Sequence, residues 1–241
     1  MATATVLQRN SYISSNNQPS PITGKRVFSG LDEATVSELA KGSSSMEFDA
    51  DELVYSEGDP AGGMYVVLSG RVKLTVSSSD GKSLILRILG AGEVFSLSSM
   101  FLQRPQETSA ETLERSTVSF VKRAELLRLM NKHGDLALRL ARELSLEYAS
   151  LCEEMSTLGL QRSAMSRLAK LMISWTEGLE TGKGPIQFDC EHTHEVMAQM
   201  IGTSRETVTR LLHQLRHQKV ATIKDEVLTI NNYPALSALA V

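Results

Sequence analysis

Between residues 28 and 122 the apolar positions come in short runs broken by turn residues. Leu53-Val54-Tyr55 runs into Glu57-Gly58-Asp59-Pro60, and Met64 to Leu68 stops at Ser69-Gly70. Val72, Leu74 and Val76 alternate with Arg71, Lys73 and Thr75, the period of a strand with one wet face. Asp80-Gly81 is a hairpin signal that favours positive φ. Leu84 to Leu89 then returns, Gly90-Ala91-Gly92 breaks it, and Val118 to Val121 closes the series. Short strands at near-regular spacing predict an antiparallel roll, barrel or sandwich.

From Ala124 the period lengthens. Apart from Gly134, no Gly or Pro occurs before Gly159. Ala137, Leu144, Leu151 and Leu158 recur at heptad spacing, and Ala141, Tyr148 and Met155 supply the second apolar row. Arg139, Arg142, Glu143, Glu147, Glu153 and Glu154 surround this seam. A helix packed on its own domain shows a wider apolar stripe, so the narrow seam favours pairing of two helices.

The next helix, within 161–180, gathers Met165, Leu168, Ala169, Met172 and Trp175 on one face. After a loop from Glu177 to Pro185, Ile186 to Phe188 reads as a short strand. Thr193 caps a helix over His194 to Ile201, and Gly202 makes a turn. Thr203-Ser204-Arg205-Glu206 has capping-box spacing, opening a second helix to about Gln218. Ala221 to Ile223 and Val227 to Ile230 flank the turn Lys224-Asp225-Glu226. Helix, glycine turn, capped helix and hairpin together predict a winged helix-turn-helix.

Composition leaves this picture standing and removes others. The 241 residues are 41% hydrophobic and 22% charged, enough for a core without cross-links. Two cysteines, Cys152 and Cys190, exclude a four-cysteine zinc or iron–sulfur site within one chain, and they suit a reducing, cytoplasmic setting. Cys152 is expected to be a buried apolar residue beside the seam, with a thiol sensor as the alternative. Cys190, His192 and His194 are expected to be exposed loop residues rather than metal ligands. No run of about 18 apolar residues occurs, so no membrane span is expected. The segment rich in Ser, Asn, Gln and Pro near the start makes 1–25 a flexible tail. No nucleophile–base pairing, phosphate loop or metal-ligand spacing occurs, so an enzyme is not expected.

The second helix of the pair carries the chemistry. Arg205, Glu206, Thr209 and Arg210 share one outward face near its start, where a recognition helix meets base edges in the major groove. Arginine pairs bidentately with guanine, and glutamate accepts from cytosine N4. Thr203 and Ser204 sit where free helix N–H groups and hydroxyls hold a phosphate. His213, Arg216, His217 and Lys219 follow. The competing reading is a solvated charged helix, or a helix-turn-helix that serves protein contacts in a ligand-binding signalling module.

The run IGTSRETVTRLLHQLRHQKV (residues 201–220) resembles the recognition segment of the cyclic-AMP receptor protein / FNR (Crp/Fnr) family of bacterial transcription regulators. Gly202, Ser204, Arg205, Glu206, Thr207, Val208 and Arg210 match the receptor-protein branch. The FNR branch differs at the Arg205 position and has Ser at the Thr209 position. The resemblance spans about residues 28–230 and implies an α+β chain. Its parts would be a flexible tail (1–25), an antiparallel β-roll of the cyclic-nucleotide-binding, jelly-roll kind (26–133), a long dimerisation helix (134–159) and a winged helix-turn-helix (160–241). It also implies a homodimer on near-palindromic duplex DNA, with Arg205, Glu206 and Arg210 reading TGTGA-like half-sites, and RNA polymerase as functional partner. The dimer seam would be Leu144, Tyr148, Leu151, Met155 and Leu158.

The effector side departs from that pattern. Gly92-Glu93 resembles the Gly-Glu that holds the ribose in cyclic-AMP binders. Where the family has Arg-Ser for the cyclic phosphate, this chain has Thr108-Ser109 beside Glu107, and Cys152-Glu153 stands in place of the adenine-contacting Thr-Ser. A phosphodiester without its guanidinium loses a charge-assisted contact. Glu93, Thr108, Ser109 and Glu153 remain candidate contacts for a small-molecule effector, and cyclic AMP in the usual mode is not expected. No cofactor is identified.

Overall fold

The computed structural model describes residues 28–78, 82–160, 163–176, 184–190 and 192–240, and over 153–160 only the course of the helix. The expected tail at 1–25, the Asp80-Gly81 turn, most of the loop after Glu177, and the side chains of Glu153, Met155 and Leu158 lie outside the described residues. The chain divides into two compact units, one of residues 1–76 and 87–148, the other of 77–86 and 149–241.

Along the chain, helix α1 (Glu33–Lys41) comes first, and the strands β1 (Ser43–Phe48), β2 (Leu53–Tyr55), β3 (Gly63–Ser69), β4 (Val72–Ser77), β5 (Ser83–Leu89) and β6 (Val94–Phe95) follow. Helix α2 (Leu97–Leu102), strands β7 (Ser109–Thr112) and β8 (Ser116–Lys122), and helices α3 (Arg123–Lys132) and α4 (Gly134–Leu160) complete the series. The strands make two sheets, ordered β1-β8-β3-β6 and β2-β7-β4-β5. This is the expected roll. Gly70 makes one of its corners: it sits at φ 78°, and a Cβ there would lie 2.2 Å from the Ser116 hydroxyl.

Strand periodicity splits the core in two. Met64, Val66 and Leu68 of β3 face Val36 and Leu39 of α1, Leu126 and Leu129 of α3, and Leu136 and Leu140 of α4. Val67, between them in sequence, turns to the other side and joins Tyr55, Leu74, Leu89, Phe95 and Val118. There Tyr65 stacks on Phe95 at 5.2 Å between ring centroids, and Tyr55 lies 5.9 Å from Phe95. Burial pushes the Tyr65 phenol up to about 12, and pushes Tyr55 up as well.

Several elements lacked a sequence signal. β1 is built on Ser43-Ser44-Ser45, a loop-like run, and becomes a strand because β8 supplies its ladder from Ser43↔Val121 to Phe48↔Ser116. α1 is capped by Asp32, which accepts from Thr35 N at 2.8 Å and from the Thr35 hydroxyl at 2.6 Å. His133 divides α3 from α4, and α4 starts at Gly134, where the long helix is expected. His133 Nδ1 lies 2.8 Å from the Thr35 hydroxyl. Glu38 gathers Lys132 and, at 3.5 Å, Arg128. The hydrogen bond from Lys132 holds the Glu38 carboxyl below its usual range.

The second unit contains α5 (Ala164–Ser174), β9 (Ile186–Asp189), α6 (His194–Met200), α7 (Arg205–His217), β10 (Ala221–Lys224), β11 (Val227–Ile230) and α8 (Tyr233–Leu239). β9 joins the hairpin, giving a sheet ordered β10-β11-β9. The hairpin turns on Asp225 and Glu226, both at positive φ (50° and 62°), the twist-matched geometry of a two-residue loop. Cys190 is buried in this unit's core, contrary to the exposed position expected. The bond Cys190 N to Glu226 O draws the end of β9 inward, and burial pushes its thiol up. Among the described residues no helix is long and apolar enough to cross a membrane.

Replacing Leu129, fully buried between α3 and β3, with alanine is expected to cost about 2–5 kcal/mol in urea unfolding. A loss under 1 kcal/mol would mean that the site collapses around the gap. The folded pKa of Glu38 is depressed, so its contribution is present above its unfolded pKa and is lost as pH falls through the folded value. Glu38→Gln is therefore expected to lower Tm at neutral and alkaline pH, and its curve of Tm against pH should converge on the wild-type curve as pH falls through the folded value.

Candidate nucleic-acid interface and roll site

Helix α7 buries Val208, Leu211 and Leu215 in a core shared with Met197, Ala198 and Ile201 of the α6 segment and Leu168 and Met172 of α5. With that row inward, Arg205, Glu206, Thr209 and Arg210 are left exposed, as are His213, Arg216 and His217. The structure thus brings the four candidate base-reading residues onto one open face. Among the described residues no carboxylate is ion-paired to Arg205, Arg210 or Arg216, so their guanidiniums remain available to acceptors. The Glu206 carboxyl is held below its usual range by its own backbone N–H and then by the Ser204 hydroxyl, so it is an acceptor at neutral pH.

The start of α7 differs by one residue from the capping-box reading. Ser204, not Thr203, is the N-cap, and its hydroxyl accepts from Thr207 N at 3.3 Å. Thr203 is instead used to close the preceding turn, donating its N–H to Ala198 O at 2.9 Å. Gly202 supplies the turn's φ of 61°. Thr203 and Ser204 still stand at the end of α7 where free N–H groups collect.

Sequence reasoning missed the residue that ties this turn down. Arg167 of α5 donates from Nε to Ile201 O at 2.7 Å and from Nη2 to Gly202 O at 3.4 Å. These are carbonyls at the end of α6, where a cation is favoured. The only signal was a lone arginine beside the apolar face of an amphipathic helix.

In the roll, the candidate effector contacts are engaged within the chain. Glu93 closes its own turn, accepting from Gly90 N at 2.8 Å, and receives Arg87 Nη2 at 3.3 Å. Arg87 Nη1 also reaches Glu147 of α4 at 3.4 Å. The Thr108 hydroxyl lies 3.4 Å from the Tyr55 hydroxyl, and Ser109 accepts from Glu57 N at 2.9 Å. Ser96 and Gln106 exchange hydrogen bonds at 2.8 and 3.0 Å. Burial pushes the Glu147 carboxyl up, while Arg87 opposes that shift and Glu107 adds to it. In the sequence Arg87 is the one charged residue within the apolar run Leu84 to Leu89.

The apolar heptad of α4 is divided between the roll core and solvent. Leu136 and Leu140 are core, and Leu144 packs against the same cluster rather than lying open. The exposed row of α4 is Leu138, Ala141, Ser145, Tyr148, Ala149 and Cys152, with Leu138 and Tyr148 each 72% exposed. Cys152 is therefore exposed, not buried. Leu151 is intermediate. The open row keeps the expected Ala141 and Tyr148, but its other half starts from Leu138.

Two family models match the chain, the cyclic nucleotide-binding domain over residues 45–133 and the Crp-like helix-turn-helix domain over residues 166–239. Among curated proteins, the chain is 24% identical over 215 residues to the CRP-like cAMP-activated global transcriptional regulator of Mycobacterium tuberculosis, covering 89% of this chain and 96% of that one. It is 29% identical over 187 residues to the cyclic AMP receptor protein of Thermus thermophilus, covering 78% and 83%. The fold matches the solved structure of FixK2 from Bradyrhizobium japonicum with a TM-score of 0.68, at 24% identity, over 83% of this chain and 98% of that one.

Arg167→Met is expected to leave the helices intact and to speed amide exchange at Thr203 roughly fivefold, corresponding to about 1 kcal/mol for a half-exposed charge-assisted bond. Unchanged exchange would mean that Gly202 and the apolar core hold the turn without Arg167.

Proposed function

This chain belongs to the Crp/Fnr family of transcription regulators, and we propose that it acts as a homodimer reading TGTGA-like half-sites of a near-palindrome. One observation carries this reading. The apolar row of α7 leaves Arg205, Glu206, Thr209 and Arg210 together and outward, and among the described residues no carboxylate is ion-paired to either arginine. Arg205 and Arg210 would pair with guanines, Glu206 would accept from cytosine N4, and Ser204 and Thr203 would hold a phosphate. Two such helices must be spaced to enter successive major grooves, about 34 Å apart, which a dimer supplies.

The open row of α4 supports dimerisation. Leu138, Ala141, Ser145, Tyr148 and Cys152 follow an alternation of three and four residues, the spacing of a two-stranded seam. A 72% exposed leucine and tyrosine on one helix face are costly to leave in water. RNA polymerase is the functional partner in this reading.

The roll would not take cyclic AMP in the family manner. Thr108 stands where a guanidinium is needed, and Arg87 of the roll is occupied by Glu93 and Glu147. A cyclic phosphate would have to displace a carboxylate from Arg87 while facing Glu107 and Glu147, both of the same charge as the ligand. The reading is therefore of a regulator whose roll is closed by its own side chains, or opened by an effector of different chemistry.

In a gel shift, the protein is expected to retard a TGTGA-N6-TCACA duplex and to lose at least tenfold in affinity on Arg205→Ala, since a bidentate pair contributes about 1–3 kcal/mol of discrimination. Equal affinity for scrambled DNA would sink base reading. Tyr148→Glu is expected to give monomers in sedimentation, and an unchanged dimer would move the interface elsewhere. Titration calorimetry with cyclic AMP should give no micromolar binding. A micromolar isotherm would overturn the roll argument.

A further inference from the structure

The hydroxyl of Thr209, on the outward face of α7, is already committed. Thr209 Oγ1 donates to the carbonyl of Arg205, one turn earlier, at 3.0 Å. His194, the first residue of α6, places Nδ1 2.9 Å from the same oxygen. A hydroxyl has one proton, and this one is given to Arg205, so His194 Nδ1 is the donor to Thr209. The side chain is thereby held from two sides, by its own helix and by the neighbouring one. With Oγ1 turned back to these partners, the group left to project from Thr209 is its methyl.

We propose that Thr209 is a specificity residue that reads a thymine through methyl–methyl contact, and that His194 is its positioning residue. The inference rests on the DNA-reading role of α7 proposed above and deepens it. Threonine at this place has two ways to read a base. A free hydroxyl would accept or donate to several base edges and discriminate little. A fixed methyl offers only apolar contact, and the one apolar group on a major-groove edge is the C5-methyl of thymine. His194 decides between these modes, because its Nδ1–H stabilises the rotamer in which the hydroxyl faces inward. A threonine side chain bonded only to its i−4 carbonyl is free to exchange between two helix rotamers.

The geometry also sets the substitutions. Valine keeps the branched shape and the projecting methyl but drops the hydroxyl. Serine keeps the hydroxyl and drops the methyl. Asparagine at 194 keeps a donor near the Nδ1 position, whereas alanine removes it. Each of these side chains is exposed or half-exposed and outside the apolar row of Val208, Leu211 and Leu215, so the fold should tolerate them.

The test uses the full-length protein and the tightest duplex selected from a random pool. Each thymine of its half-sites is replaced in turn by deoxyuridine, which removes only the C5-methyl, and binding is followed by fluorescence anisotropy. One position is expected to lose about fourfold per half-site, the equivalent of about 0.8 kcal/mol for one buried methyl. At that position Thr209→Val should keep the thymine preference and Thr209→Ser should lose it. His194→Asn should retain it, and His194→Ala should weaken it without changing salt dependence. A loosened fold would alter binding to every duplex equally, so the thymine-to-uracil ratio is the readout that a merely structural role would not move. The proposal is overturned by a wild type indifferent to uracil at every position, by Thr209→Ser that still discriminates, or by a selected site with no thymine. Failure of the underlying reading looks different: the wild type would bind selected and scrambled duplexes alike, and the inference would fall with it.

Discussion

Helical phase is the constraint on which the rest of this molecule depends. A residue advances about 100° around an α-helix, so choosing which side chains are buried also chooses which are presented. In α4, Leu136 and Leu140 go into the core of the roll. Leu138, two residues from each, is then turned about 200° away and stands in water. In α7, burying Val208, Leu211 and Leu215 leaves Arg205, Glu206, Thr209 and Arg210 outward. Neither open face has a fold to support, and what each carries can therefore be chosen for what lies outside the chain. On α4 the choice is apolar, and on α7 it is cationic and hydrogen-bonding.

A second constraint acts in the roll. A half-buried guanidinium must find acceptors, and half-buried carboxylates must find donors. Arg87 meets Glu93 and Glu147, Glu93 also takes Gly90 N–H, and Gln106 exchanges bonds with Ser96. The groups that would hold an anionic effector are thus the groups that satisfy the roll. Any anion entering there competes with ion pairs already formed at 3.3–3.4 Å. The burial that pushes Glu147 up makes its release from Arg87 costly unless a proton arrives with it.

Legibility in the sequence followed the strength of local signals. The strands β3, β4 and β8 and the helix pair α6–α7 were legible because each carries its own periodicity and turn residues: Ser69-Gly70 ends a strand, and Gly202 makes a turn. β1 was not legible, because three serines carry no strand signal and only β8 makes them one. The contact between the Thr35 hydroxyl of α1 and His133, at the end of α3, joins residues far apart in sequence and left no local signal. The apolar heptad on α4 was legible, but not which of its leucines the roll core takes. Leu144 and Leu138 are equally apolar, and only the roll core shows which of them it claims. The outward residues of α7 were readable from spacing alone, whereas Arg167 and Arg87, which act by reaching a carbonyl or a carboxylate on another element, left almost no trace. Cys190 and Cys152 exchanged their expected exposures for the same reason.

The charge of the chain shows how an average conceals a site. The formal net charge of −3 is that of no obvious polyanion binder, yet residues 161–241 carry 9 basic and 8 acidic residues, and residues 202–220 carry 4 and 1. The remaining 160 residues hold 16 basic and 20 acidic side chains, so the rest of the chain repels the backbone that α7 would approach. With so few phosphate-neutralising cations, counterion release supplies only a modest, salt-sensitive affinity. Discrimination then has to come from contacts that do not depend on net charge: bidentate arginine pairs, the acceptor on Glu206, and a side chain such as Thr209 whose orientation is fixed before DNA arrives. Fixing it in advance matters because a side chain that must be ordered on binding loses part of what the contact contributes. A helix face with little charge to spare gains most from residues already held in place, and His194 beside Thr209 is such an arrangement.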